Sequence, residues 1–363
     1  MSRPPISCSA ERSAARHPAR GGDGPSGRPA GPRDAFRPDP SPPAGAASRP
    51  ALAIPPPPGH QERPAARRRS GGREMPDDPF DRDPTVTHGV AERLEPGLRR
   101  ITCANASPMT FTGTQTYVLG EGEVAVVDPG PEDPAHLEAI LAALGPGERV
   151  AAILVTHTHV DHSPGAAALK AATGAPTAGF GPHGAGMSER MRALAASGAD
   201  LGGGEGADRG FRPDRVLADG ARLEGAGWAV TAMHTPGHLS NHLCFALEAE
   251  GTAPGAVLSG DHVMGWATTM VSPPDGDMAA FMASLDRLEA AGARVLYPGH
   301  GGPVRDPAGM IAHQRAHRRG REAQILAALE GAPGGATPMA LTRAIYAEVD
   351  PRLHGAASRN VLS

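Results

Sequence analysis

The chain has little lysine, little cysteine and no long apolar run, and each shortage narrows its function. Of 363 residues only Lys170 is lysine, so nearly every cationic side chain is arginine. The three cysteines, at positions 8, 103 and 244, form no CxxC motif, which is typical of proteins in a reducing compartment. No apolar run approaches the roughly 18 residues of a membrane-spanning helix. We therefore predict a cytoplasmic location and no membrane partner.

Charge is distributed unevenly along the chain. Residues 1–74 carry 13 Arg against 6 Asp and Glu, a balance of +7, so the whole-chain charge of −4 leaves −11 on residues 75–363. Residues 1–74 are also rich in Pro, Gly and Ala and have no amphipathic period, so they cannot bury enough apolar surface to offset the entropy of ordering. We predict a disordered tail over residues 1–74 and a functional protein that begins near Met75.

The densest cluster of candidate metal ligands directly follows a buried strand. Residues 150–156, VAAILVT, are apolar on both faces, and HTHVDH follows at residues 157–162. Imidazole and carboxylate groups are the ligands that Zn²⁺ takes. A lone HxH motif is often only a polar turn, but the longer pattern after a buried strand indicates a metal site.

Three more predicted strands end in the same kinds of side chain. The candidates that follow these strands are His234, His238, Asp261, His262 and His300. Because sites in layered α/β proteins assemble at the carboxyl ends of strands, we expect side chains from all four strand ends to meet.

These motifs resemble those of the metallo-β-lactamase-fold hydrolases. The resemblance covers about residues 97–302 and rests on HxHxDH at 157–162, HTPGH at 234–238, GD at 260–261 and PGH at 298–300. It implies a fold of the α/β class, a four-layer αβ/βα sandwich of two mixed sheets with helices outside. It also implies a catalytic domain over residues 75–305, followed by a helical linker and an incomplete winged-helix segment over residues 306–363.

The resemblance further implies a role for each candidate ligand and a cofactor of two zinc ions per chain. The ligands of one metal would be His157, His159 and His234, those of the second Asp161, His162 and His300, with Asp261 bridging the two. Two such zinc ions share a hydroxide that attacks a carbonyl or phosphoryl centre, and Asp161 can orient that hydroxide. We predict that His238 supports a ligand through a hydrogen bond, and that His262 is either such a support or a polar neighbour.

Segments outside the motifs narrow the resemblance to one subfamily. Residues 104–120 and 317–329 resemble the beta-lactamase-like protein 2 group, and residues 335–363 resemble the winged-helix segment of that group. Its members include an endoribonuclease that is specific for single strands.

Three functions are compatible with these motifs. The first is hydrolysis of a small thioester or ester, as in glyoxalase II, the second is cleavage of single-stranded RNA, and the third is a persulfide dioxygenase with one iron. The acidic body is a poor binder of phosphates, because nucleic-acid binding depends on Lys and Arg. A cluster of arginines at positions 315, 318, 319 and 321 is either a solvated helix face or an RNA contact. We favour the small-molecule substrate.

Overall fold

The computed structural model of the protein describes residues 78–82, 85–198, 206–347 and 354–363. The predictions of a tail over residues 1–74 and a start near Met75 lie outside these residues. The strands are β1 Ala91–Glu95, β2 Leu98–Thr102, β3 Gln115–Leu119, β4 Glu123–Val127, β5 Arg149–Leu154, β6 Thr177–Gly179, β7 Arg215–Val216, β8 Arg222–Gly225, β9 Trp228–His234, β10 Leu243–Ala249, β11 Ala256–Gly260 and β12 Val295–Pro298. The helices are α1 Pro134–Ala142, α2 Gly165–Thr173, α3 Glu189–Ala196, α4 Met278–Ala290, α5 Pro307–Glu330, α6 Pro338–Ile345 and α7 His354–Leu362.

The strands form two mixed sheets. In the seven-stranded sheet β1 to β7 lie in chain order, antiparallel up to β4 and parallel from β4 onwards. In the five-stranded sheet the order is β12-β11-β10-β9-β8, with one parallel pair, β11 and β12. The parallel pairs matter for function because they bring the carboxyl ends of neighbouring strands to one edge.

Three apolar clusters show how the layers stack. One cluster joins the facing sides of the two sheets, for example Leu119 and Val127 against Phe245 and Leu258. A second lies between the first sheet and α1 and α2, and a third between the second sheet and α4 and α5. The order is therefore helix, sheet, sheet, helix, which confirms the predicted αβ/βα sandwich.

Helices α1 and α4 begin where their sequences signal a start. Asp133 caps α1, with its Oδ1 accepting from the backbone N–H of Ala135 at 2.9 Å, and Pro134 occupies the first turn. Asp277 caps α4 in the same way through Ala279 and Ala280. These caps fix the residues at which the two helices begin.

The part of the chain after residue 306 that the structure describes is helical. It contains the long α5 and the shorter α6 and α7, and among its described residues there is no strand. Among the described residues, no helix combines the length and the apolar character that crossing a bilayer requires.

Replacing Phe245 tests how much the core between the two sheets contributes to stability. Its side chain is fully buried, so Phe245→Ala should lower the free energy of unfolding by about 3–5 kcal/mol through lost apolar contacts and a cavity. Urea unfolding of the metal-loaded protein measures this. Leu326→Ala, at a side chain that is 57% exposed, is the control and should change stability by less than about 0.5 kcal/mol. Equal losses in the two variants would contradict this account of the core.

Candidate metal centre

Loops after four strands bring seven candidate ligands together in two groups. The first group is His157, His159, His238 and Asp261, and the second is Asp161, His162 and His300. Within each group the ligand atoms all lie within 4.8 Å of one another. β5, β9, β11 and β12 deliver these residues, so the predicted convergence of strand ends is present.

The first group surrounds one small space. Nδ1 of His159 lies 3.0 Å from Nε2 of His157 and 3.0 Å from Nε2 of His238. Oδ2 of Asp261 lies 3.6 Å from Nε2 of His238 and 3.9 Å from Nε2 of His157. Three imidazoles and one carboxylate thus point inward.

The second group is equally tight and shares Asp261 with the first. Nε2 of His162 lies 3.3 Å from Nε2 of His300, and Oδ2 of Asp161 lies 3.4 Å and 3.2 Å from these two nitrogens. Oδ1 of Asp261 is 3.5 Å from His162, and Oδ2 of Asp261 is 3.3 Å from His300. Asp261 is therefore placed where a carboxylate can bridge two cations.

These distances are those expected between atoms that bind the same metal ion. Around a tetrahedral zinc ion with bonds of about 2.0–2.1 Å, neighbouring ligand atoms lie roughly 3.3 Å apart, close to the separations in both groups. Oδ1 of Asp261 is also buried and accepts no hydrogen bond from the described residues. A buried carboxylate oxygen without a donor is costly unless a cation neutralises it.

The structure exchanges the predicted roles of His234 and His238. The resemblance of the motifs predicts His234 as a ligand and His238 as its support, and this prediction is wrong for both residues. His234 ends β9, its ring stacks on Phe180 at 3.8 Å, and its Nε2 lies 2.9 Å from the backbone oxygen of Ser240. His234 is in neither group of ligands.

A tight turn explains why the second histidine of HTPGH reaches the site. Gly237 has φ +144°, and a Cβ there would lie 2.4 Å from Cα of Phe281, so only glycine fits. The turn swings His238 back over the sheet edge. The sequence carries a signal for this, because Pro-Gly-His occurs both at residues 236–238 and at residues 298–300, where His300 is a predicted ligand.

Hydrogen bonds on the outer nitrogens orient three of the imidazoles. Nδ1 of His238 lies 2.7 Å from the backbone oxygen of Met270, and Nδ1 of His300 lies 3.2 Å from that of Gly113. Nδ1 of His162 lies 3.0 Å from Oδ2 of Asp128. An acceptor at Nδ1 leaves the lone pair of Nε2 directed at the metal position.

Asp128 is a functional residue that the sequence analysis missed. It follows β4, is 2% exposed, and also accepts from the backbone N–H and the hydroxyl of Thr156, each at 2.7 Å. It thereby joins the ends of two parallel strands and holds His162. The signal was available, since Asp128 is a polar residue at the carboxyl end of a buried strand.

Two further histidines lie beside the site without joining either group. Nε2 of His242 accepts from the backbone N–H of Asp261 at 3.1 Å and so positions that residue. His262 is fully buried, with its ring 4.8 Å from that of Phe281, and burial lowers its pKa to about 3. His262 is therefore the packed polar neighbour, one of its two predicted roles.

Burial and mutual charge set the protonation of the ligands. Burial, together with nearby histidines, holds the pKa of His157 well below its usual range, so this ligand is neutral. Burial alone would raise the pKa values of Asp161 and Asp261, but His162 and His300 outweigh it and lower both. Both carboxylates are therefore ionised and able to bind cations.

A cavity of about 490 Å³ opens onto both groups of ligands. His159, Asp161, His238, Asp261 and His300 line its base. Its walls are mainly apolar and include Pro108, Met109, Val160, Met264, Trp266 and Met270. Among the described residues that line it there is neither Lys nor Arg. The cavity thus offers a polar base and an apolar body.

Replacing the two histidines of HTPGH separately tests their exchanged roles. His238→Ala should lower the metal content of the purified protein by about one ion per chain, because it removes an inward-pointing imidazole. His234→Ala is the matched control and should leave the metal content unchanged. Elemental analysis of the two variants measures this. Loss of metal in His234→Ala with retention in His238→Ala would restore the original assignment.

Asp128→Asn tests the hydrogen bond behind His162. Asparagine keeps the shape and tolerates the positive φ of +50° at this position, but its amide replaces one carboxylate oxygen. Metal affinity should fall by about 10- to 100-fold, as for other hydrogen-bond partners of metal-bound imidazoles. Competition with a chromogenic chelator measures the affinity. A Thr156→Ser control retains the hydroxyl and should bind metal normally; unchanged affinity in Asp128→Asn would refute the role.

Comparisons with known proteins agree with this geometry. The sequence profile of the Metallo-beta-lactamase superfamily matches residues 109–300, and that of the Beta-lactamase associated winged helix domain matches residues 337–363. The chain is 30% identical over 269 residues to the atrochrysone carboxyl ACP thioesterase of Aspergillus fumigatus, covering 70% of this chain and 74% of that protein. It is 31% identical over 240 residues to the protein of the same name from Aspergillus terreus, covering 66% of this chain and 65% of that protein.

A solved structure supports the same conclusion. The crystal structure of a metallo-beta-lactamase family protein from Thermus thermophilus superposes with a TM-score of 0.58 at 25% identity, covering 74% of this chain and 92% of that one. The profile match spans more than half of the 363 residues. The chain therefore belongs to the metallo-beta-lactamase superfamily and is a metal-dependent hydrolase with a winged-helix-related segment over residues 337–363.

Proposed function

We propose that this protein hydrolyses the thioester of a bulky apolar acyl group at a centre of two zinc ions. The observation that carries the proposal is the cavity, which joins the two groups of ligands to apolar walls without a lysine or arginine among its described lining residues. An acyl group would occupy the apolar body while its thioester carbonyl lies at the polar base.

The donor set supports two zinc ions. His157, His159 and His238 would hold one ion, Asp161, His162 and His300 the other, and Asp261 both. Imidazole and carboxylate donors suit zinc, although they also suit iron. Zinc in such a centre supplies Lewis-acid polarisation of the carbonyl and lowers the pKa of a coordinated water towards neutrality.

The side chains of this chain then have defined tasks in the reaction. The oxygen of water forms a bond to the acyl carbon, the C–S bond breaks, and the sulfur leaves as a thiolate that takes up a proton. Asp161 is 21% exposed at its side chain and lies at the base of the cavity, so it can orient the attacking water, and the proton that this water loses is the one that the leaving thiolate takes up. Thr114 donates to Oδ2 of Asp161 at 3.1 Å and fixes the direction of this carboxylate.

The named relatives support a thioester substrate. Two proteins that are 30–31% identical to this chain carry the name atrochrysone carboxyl ACP thioesterase. Such a name describes an acyl group bound through sulfur to a carrier, which agrees with a cavity that accommodates the acyl part. The apolar walls favour an acyl group of this kind over a glutathione thioester, whose peptide carries two carboxylates.

The charge pattern disfavours single-stranded RNA as the substrate. Of the predicted basic cluster, Arg315 pairs with Asp286 at 2.7 Å and with Glu289 at 2.8 Å. Arg318 is 5% exposed, and the guanidinium of Arg321 lies over the ring of Tyr346 at 4.2 Å. Three of the four arginines are thus engaged within the protein, Arg319 is exposed, and the prediction of a solvated face is wrong for Arg318.

Parallel assays distinguish the proposed reaction from its alternatives. The zinc-loaded full chain should hydrolyse the 2-naphthoyl thioester of N-acetylcysteamine faster than S-lactoylglutathione. The rate should change little with salt concentration, because the substrate is bound mainly by the apolar walls. The Asp261→Ala variant should lose at least a hundredfold in kcat/KM, since both metals depend on this residue. His234→Ala is the control and should retain activity. Free thiol released is measured with a chromogenic disulfide.

Three results would overturn the proposal. One is cleavage of single-stranded RNA that is faster than thioester hydrolysis and falls steeply with salt, as phosphate contacts require. Another is a purified protein with one iron and no zinc that consumes oxygen with a persulfide substrate. The third is a zinc-loaded protein that hydrolyses none of the thioesters.

A further inference from the structure

The helices after the metal domain form part of the cavity that leads to the metal centre. Tyr346, at the end of α6, and Ala357 and Asn360, on α7, line the same cavity as Asp161 and the other ligands. Residues three apart share one face of a helix, so Ala357 and Asn360 present a single face of α7 to the cavity.

Hydrogen bonds fix this face of α7 against a loop of the metal domain. Oδ1 of Asn360 accepts from the backbone N–H of Val271 at 3.3 Å, and Nε of Arg359 donates to Oγ of Ser272 at 2.8 Å. Val271 and Ser272 directly follow Met270. Met270 lines the cavity, and its backbone oxygen orients His238. The position of α7 is therefore coupled to the wall of the cavity and to one metal ligand.

Helix α5 holds the same region from its other side. Arg318 is buried, donates through Nη2 to the backbone oxygen of Thr269, and lies over the ring of Phe281 at 5.4 Å. The hydroxyl of Thr269 in turn donates to the backbone oxygen of Asp261 at 2.8 Å. Arg321, one turn along α5, covers the ring of Tyr346. Burying a charged arginine costs free energy unless the charge has partners. The contacts of Arg318 therefore hold this region in one arrangement.

We propose that α6 and α7 form the recognition wall for the acyl group and decide which acyl groups the protein accepts. This inference rests on the proposed thioesterase function, because the two helices would contact and select the substrate of that reaction. The small side chain of Ala357 leaves room in a cavity whose volume is typical of small-molecule sites. A larger side chain there should exclude large acyl groups while sparing small ones.

Ala357→Leu tests the recognition wall with two thioesters of N-acetylcysteamine. For the 2-naphthoyl thioester, kcat/KM should fall by about tenfold, because extra methyl groups in a fitted cavity cost that much. For the acetyl thioester, kcat/KM should stay within about twofold. Ala327→Leu adds the same atoms at an exposed position of α5 and is the matched control, with both substrates unaffected.

A binding measurement separates this inference from the proposed reaction. The fluorescence of Trp266, which lines the cavity, should respond to 2-naphthoate, and Ala357→Leu should weaken that binding by about tenfold while Ala327→Leu does not. If the wild-type protein hydrolyses neither thioester but Ala357→Leu still weakens naphthoate binding, the thioesterase proposal fails and the recognition wall stands. Metal content and thermal unfolding verify the fold, and Ala357→Val provides a smaller change in the same direction.

Two outcomes would overturn the recognition wall. One is a loss of kcat/KM in Ala357→Leu that is equal for the acetyl and naphthoyl thioesters, since that indicates damage to the metal centre. The other is unchanged naphthoate binding and unchanged selectivity in both Ala357 variants, because the face of α7 would then lie outside the space that the acyl group occupies.

Discussion

The buried carboxylate of Asp261 is the constraint on which the site depends. It lies between two groups of ligands, 3.3 Å from Nε2 of His300 and 3.6 Å from Nε2 of His238, with an ionised charge that burial alone would oppose. Neighbouring backbone must therefore come unusually close. A Cβ on Gly299 would lie 2.3 Å from Oδ1 of Asp261, and one on Gly260 would lie 2.6 Å from Nε2 of His242. Glycine at both strand ends is what allows the ligands to converge.

The chemistry of the protein comes from joining two unlike environments. The base of the cavity is polar, with carboxylates and imidazoles that suit divalent cations, and its walls are apolar. A thioester with an apolar acyl group matches both, because its carbonyl needs polarisation and its acyl chain needs burial. The loop at residues 269–272 links these environments. The backbone oxygen of Met270 orients His238, that of Thr269 accepts a hydrogen bond from α5, and the hydroxyl of Ser272 accepts one from α7. The same loop therefore supports both the cavity wall that would contact the substrate and a ligand of the metal.

Much of the fold was predictable because burial leaves strong local patterns. Apolar strands such as β5 and caps such as Asp133 have local causes, and the resemblance of the ligand motifs to those of the metallo-β-lactamase-fold hydrolases implied the αβ/βα sandwich. The local sequence pattern predicted the direction of individual side chains less well than it predicted strands and caps. It favoured His234 over His238, and it grouped Arg315, Arg318 and Arg321 as one basic face although each has a different environment.

The sequence by itself determined the strand ends that carry the site, because donor residues after buried strands are a local pattern. Its resemblance to the metallo-β-lactamase-fold hydrolases implied the layers and six of the seven side chains now grouped as ligands. Only the tertiary structure decided the rest. The turn at Gly237 depends on the close approach of Phe281, a contact between residues 44 positions apart that no local pattern encodes. Asp128 acquires its role only when β4 and β5 pair, and the wall of Tyr346, Ala357 and Asn360 only when distant helices dock on the metal domain.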